Sequence, residues 1–139
     1  MQAVAFENEI WWLGGRDDQT SNEVRIWNPV TRVWRVGPSL QFRRAGFAAR
    51  VVQGQIMVAG GERTELVPFQ LVPSMELFAS GAAGWVPGPP PPIAVHGTTG
   101  AAAGGEFILV GGSTVAGTTS SNRATQIYAP AEPGVMGSE

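Results

Sequence analysis

The chain has 139 residues, 43% of them hydrophobic and 14% charged, with 19 glycines, 11 prolines, no cysteine and a net charge of −2. It is long enough for one domain with a core of its own and too apolar for a disordered segment. The lack of cysteine excludes disulfides and thiolate metal sites, and the scattered basic residues leave no electrostatic footprint for nucleic acid. No apolar run is long enough for a membrane helix. Residues 1–7 lack the basic stretch of a signal peptide. The absence of cysteine fits a reducing compartment, which inclines the reading toward the cytoplasm without fixing it.

Short apolar runs separated by Gly-, Pro- and Asn-containing turns predict an all-β chain. Residues 3–6 form the first predicted strand, which turns at Glu7-Asn8 into a second that runs from Ile10 to Leu13 and ends on Gly14-Gly15. A polar loop at 16–23 leads to an alternating strand at 24–27, a turn at Asn28-Pro29-Val30-Thr31 and a fourth strand at 33–36. The order then repeats. Strands at 47–52 and 55–59 pair about Gln53-Gly54 and end on Gly60-Gly61. The loop at 62–73 carries two prolines and is expected to stay irregular; third and fourth strands follow at 75–78 and 84–86. On the third pass a strand at 97–103 turns at Gly104-Gly105 into 106–110, which ends on Gly111-Gly112. A Ser/Thr/Gly loop at 113–122 precedes the last predicted strand, 125–128, and no tryptophan-bearing fourth strand follows it.

Three sets of markers keep one period. The doublets begin at 14, 60 and 111. Trp27, Phe78 and Tyr128 end the third strands; Trp34 and Trp85 sit in the fourth; Gly46 and Gly97 precede the first. A period of about fifty residues is that of a propeller repeat. The single domain, 1–139, therefore divides into units at about 1–40, 44–90 and 95–130, with a tail at 131–139. Strands such as 10–13 and 107–110 are apolar throughout, as sheets buried on both faces require. Glycine lets backbones crowd at the doublets, and the large aromatics fill space between sheets.

This pattern resembles the kelch repeat. The three glycine doublets, the Trp27/Phe78/Tyr128 series, Trp34 and Trp85, and the opening segments Arg44-Ala45-Gly46 and His96-Gly97 carry the resemblance. It implies four-stranded blades of a β-propeller, about three in this chain, with the first unit starting inside its first strand and the third lacking its fourth. Propellers typically close with about four to eight blades. An open stack would expose the apolar faces of its end blades, with Trp11 and Trp12 expected at the interface that covers them. Two copies paired head to tail would supply about six blades, so a ring-closing homodimer is expected. The competing expectation is a piece of a longer propeller, with Gly137-Ser138-Glu139 either natural or added.

The residues that bear chemistry are few. His96 is the only histidine, so a nucleophile–base pair has little to draw on. One histidine, no cysteine and dispersed carboxylates do not make a zinc or copper shell, and the cysteine-modified tyrosine of some kelch-like copper oxidases has no counterpart. Arg16-Asp17-Asp18 and Asn22-Glu23 lack the alternation of a calcium loop. No cofactor or metal is expected. By the resemblance, Arg44 would point to the central ligand face and His96 would lie one residue from the equivalent place; arginine's fork suits a carboxylate there. Arg16, Arg63 and Arg123 stand in loops that would rim a binding face. Gly88-Pro89-Pro90-Pro91-Pro92 reads as a stiff connector before a polyproline ligand. The expected function is a non-catalytic binding module that presents a protein or small-ligand surface. An enzyme acting on a sugar, or a purely structural piece, are the alternatives.

Overall fold

The computed structural model describes residues 1–131; apart from Ala131, the 131–139 tail and its Gly137-Ser138-Glu139 end lie outside the described residues. The first sheet holds β1 (Gln2–Phe6), β2 (Glu9–Arg16), β3 (Thr20–Asn28) and β4 (Val33–Val36) in that order. Then come β5 (Ala48–Val52) and β6 (Gln55–Ala59), a small ribbon of β7 (Glu62–Arg63) and β8 (Gln70–Leu71), and β9 (Met75–Ala79) and β10 (Val86–Gly88). The second sheet has the order β10-β9-β6-β5. The third is β11 (Thr99–Ala103), β12 (Glu106–Val110) and β13 (Thr125–Tyr128). Every pairing is antiparallel. An all-β stack of antiparallel sheets fits a propeller of the resembled kind.

Equivalent turns open each sheet. Glu7-Asn8 and Gln53-Gly54 both have φ between 47° and 72° at their two residues, as tight I′ hairpins demand. β1 has five residues, the same as β5 and β11, so the first strand is not cut short relative to its counterparts. Two loops hold more order than their composition predicts. The polar run at 16–23 is mostly strand, because β2 continues to Arg16 and β3 begins at Thr20. The proline-bearing loop at 62–73 folds back on itself as the β7–β8 ribbon, pairing Glu62 with Leu71 and Arg63 with Gln70.

Side chains alternate along each strand, so every sheet offers one face to its predecessor and one to its successor. Val4, Phe6, Trp11, Leu13, Val24 and Ile26 of the first sheet meet Phe47, Ala49, Ile56, Val58, Phe78 and Trp85 of the second. The ring of Trp11 lies 4.9 Å from Phe78 and 5.6 Å from Phe6. The other face of the second sheet packs Ala48, Val52, Met57, Ala59 and Met75 on Val95, Phe107 and Leu109. Fully burying each large side chain stabilises by about 1.5–3 kcal/mol. Trp11 therefore departs from expectation: it is 3% exposed, inside the chain rather than at an open end. Its neighbour Trp12 points the other way and is half-buried on the outer face of the first sheet.

Candidate interaction surface

The strands that end in glycine doublets deliver their next residues to one edge of the stack. The second glycine of each doublet has a φ near +100°: 103° at Gly15 and Gly61, 97° at Gly112. A Cβ on Gly61 would stand 2.8 Å from the Ala45 carbonyl oxygen, so only glycine fits. The crowding is a contact between sheets. Gly15 N–H donates to the Arg44 carbonyl at 2.9 Å, and Gly61 N–H to that of Val95 at 2.8 Å. The residues that follow, Arg16, Glu62 and Ser113, hold equivalent positions, and Glu62 and Ser113 form matching bridges to Ala45 and His96.

Glu62 is the hub of this edge. It is 7% exposed, lies 3.9 Å from the Arg16 guanidinium and 3.5 Å from His96 Nδ1, and accepts the Gly117 N–H at 2.7 Å. It thereby links one residue of the first sheet with a connector residue and a loop residue of the third unit. The other ring nitrogen of His96 faces the Val115 carbonyl at 2.9 Å. The Ser113 hydroxyl is engaged with Val115 and Ser120, and no hydrogen bond joins it to His96. His96 and Ser113 share an open cavity of about 370 Å³ with Thr118 and Asn122. On the other side of Glu62, Arg63 donates to Glu65 at 2.7 Å, and Thr20 donates to the same carboxylate. Burial alone would raise the Glu65 pKa, but the hydrogen bonds from Thr20 and Arg63 outweigh it and hold it below the ordinary value.

The structure separates the five predicted site residues. Arg16, Arg63 and His96 come together around Glu62 and Glu65. Arg123 is exposed on the far loop, just before β13. Arg44 does not face a ligand at all: it is completely buried. It pairs with Glu76 at 2.6 Å and donates to the Gly60 carbonyl at 2.8 Å, the Ser74 carbonyl at 3.2 Å and the Ser74 hydroxyl at 2.8 Å. Burial lowers its pKa, and the charge and hydrogen bond of Glu76 oppose that. The reason is topological. The connector that carries Arg44 is roofed by the doublet turns of the first two sheets, so its side chain runs under the β9 strand instead of outward. Glu62 and Glu76 are the residues whose roles the sequence understates. Periodicity could have found both, since Glu62 follows its doublet as Arg16 does, and Glu76 shares its place in the third strand with Arg25 and Gln126. Among the described residues no group of three or more His, Asp or Glu is placed to hold a metal ion.

Residues 1–41 match the Kelch motif. The chain carries a kelch motif in the first of its repeated units. It is similar to human (Homo sapiens) Kelch-like protein 33, with 37% identity over 59 residues, 42% of this chain and 11% of that protein. It is also similar to an F-box/kelch-repeat protein of Arabidopsis thaliana, with 36% identity over 62 residues, 45% of this chain and 17% of that protein. The chain thus matches only a small part of the length of either relative. The matched kelch motif spans β1 to β4 and the start of the connector, and the second sheet repeats the same four-stranded order.

Proposed function

We propose that this chain is a non-catalytic interaction module that closes a six-bladed ring by head-to-tail pairing of two copies and offers the Glu62 edge to a protein partner. Kelch repeats typically mediate protein interactions, which supports the coarse part of this reading. The finer part rests on one observation: the two open faces of the stack carry the residue types that are buried between sheets elsewhere. On the outer face of the first sheet, Ile10, Trp12, Trp27 and Trp34 occupy the places of Ile56, Val58, Phe78 and Trp85. On the outer face of the third, Ile108, Val110 and Ile127 occupy the places of Trp11, Leu13 and Ile26. Trp34 is 53% exposed, Val110 47% and Ile127 58%. Each open face is the counterpart of the other, because each belongs to a type that already packs on it inside the chain. Exposed apolar area of this kind marks an interface, and a two-fold about the ring axis closes it.

Around the Glu62 edge, Arg16 and Arg63 keep exposed guanidinium surface, suited to the acidic side chains of a partner. Sedimentation velocity on the purified chain tests the ring. A two-copy species at micromolar concentration is expected, and Trp34→Glu or Ile127→Glu should return it to a folded single copy. A well-folded wild-type chain that stays single at that concentration overturns the ring.

A further inference from the structure

The single histidine of the chain stands between two acceptors, one on each ring nitrogen. His96 Nδ1 lies 3.5 Å from a carboxylate oxygen of Glu62, and Nε2 lies 2.9 Å from the Val115 carbonyl oxygen. The His96 and Glu62 side chains are only 11% and 10% exposed, so water replaces neither contact freely. A neutral imidazole carries one N–H and one bare lone pair. Either tautomer therefore satisfies one of the two oxygens and turns a lone pair on the other. Only the imidazolium donates to both, and the arrangement fits that charged form.

The two acceptors belong to different units. Glu62 lies in β7 of the second, and Val115 lies in the loop at 113–122 of the third. The Val115 carbonyl also accepts the hydroxyls of Ser113 and Thr118, each at 3.0 Å, so it gathers the turn at 115–118. Within that turn the Gly117 N–H donates at 2.7 Å to the Glu62 oxygen that faces His96. A Cβ on Gly117 would stand 2.9 Å from the Phe69 ring, so the turn also rests on the segment between β7 and β8. Thr118 and Ser120 carry it into the wall of the open cavity beside His96.

We propose that His96 is a pH-sensitive latch: protonation of its ring fastens the 115–118 turn to Glu62, and loss of the proton lets one end go. This goes beyond the partner reading and does not depend on the ring. The charges around the imidazole support it. Glu62 faces Nδ1 from β7. Arg16 of β2 approaches the other oxygen of that carboxylate at 3.9 Å and is half-exposed, so solvent screens its opposition. Arg63 and Glu65, next along the ribbon, pair with each other at 2.7 Å. The 113–122 loop contributes no titratable side chain. The latch therefore orders the Glu62 edge in mild acid and loosens it as the pH rises.

Amide exchange of the full chain, followed by NMR and corrected for intrinsic rates, tests this at about pH 8 and about pH 5.5. That interval spans histidine titration and stays above that of ordinary carboxylates. Protection of Gly117 and Thr118 is expected to rise about threefold or more on acidification. The amides of His96 and Ser113 donate to each other's carbonyl; they should keep the same protection at both, because that bridge does not use the ring. His96→Gln should abolish the response. Glu62→Gln keeps an acceptor for Gly117 and removes the charge facing Nδ1, so it should shrink the response. The Met1 amino group also changes charge in this interval, and a response due to it would persist in His96→Gln. Protection at Gly117 that is equal at the two pH values, that falls on acidification, or that rises as much in His96→Gln overturns the latch.

Discussion

Where the first sheet meets the second, a third-strand glutamate holds the connecting segment; where the second meets the third, a glutamine at the equivalent place does so. Glu76 accepts the N–H of Gln41, and that of Phe42 at 3.4 Å. Gln126 accepts the Ile93 N–H at 2.7 Å and returns its own amide N–H to the Ile93 carbonyl at 2.9 Å. Both residues are buried, and both tie a connector to the middle of a sheet. The difference lies in what stands opposite. Arg44 in the first junction corresponds to Val95 in the second. A buried guanidinium needs an ionised partner, and the pair carries a desolvation penalty that its attraction only partly offsets. Val95 needs nothing, so the neutral amide suffices. The clamp is therefore a matter of hydrogen-bond geometry, and the charge at the first junction answers to Arg44.

The largest expected effect tests that distinction. Glu76→Ala should cost about 3–5 kcal/mol, because it leaves Arg44 buried without a counter-charge. Gln126→Ala should cost about 1–3 kcal/mol, the penalty of an unsatisfied backbone group. Urea unfolding of each variant gives both values. The double replacement Arg44→Val with Glu76→Gln rebuilds the first junction in the image of the second and should recover most of the loss. A double variant no more stable than Glu76→Ala would break the comparison, since the clamp would then need its charge.

A second contrast sets Trp85 against Trp34, which hold equivalent places and differ in what covers them. Trp85 has the first sheet and the Pro38 carbonyl against it; Trp34 touches Trp27 at 6.3 Å between ring centres and is otherwise open. Trp85→Ala should cost about 3–5 kcal/mol in urea unfolding, as large-to-small changes in a core do. Trp34→Ala should change the stability of a single copy by no more than about 0.5 kcal/mol. Equal costs for the two would mean that Trp34 is already covered in solution, and the ring reading would gain from that result.

Much of this was legible in the chain itself. Periodicity places the three sheets, because doublets, aromatics and hairpin turns are all local signals with one spacing. It also marks Trp85 as a residue that fills a gap between sheets. It could not tell Trp11 from Trp12, since neighbours on a strand face opposite sides and only the direction of stacking decides which side is covered. Arg44 misled for a related reason. An arginine before a strand reads as surface charge, and only the fold shows the doublet turns closing over it. The Glu62 hub joins residues from three repeat units, and no local pattern reports a contact of that range. The β7–β8 ribbon was hidden by Pro68, which lies between its strands, and Pro73, which lies just beyond them.

The smallest expected effect concerns the polar link across the first junction. Thr20, at the start of β3, donates to the Glu65 carboxylate, and Thr64 N–H donates to the Thr20 hydroxyl at 3.3 Å. The second junction is linked instead by Glu62 and the Gly117 N–H. Because the hydrogen bonds of Thr20 and Arg63 hold the folded pKa of Glu65 below its unfolded value, its contribution is fully present above the ordinary glutamate pKa of about 4.3. It fades as the pH falls through the lower, folded value. The amide resonances of Thr20 and Thr64, followed by NMR through an acid titration, should therefore move with a midpoint below that of an unstructured glutamate. Glu65→Gln should abolish the movement while leaving Gly117 unaffected. A midpoint at the ordinary value would mean that the Thr20–Glu65 link contributes nothing to the folded state, and the two junctions would then differ in their buried clamps alone.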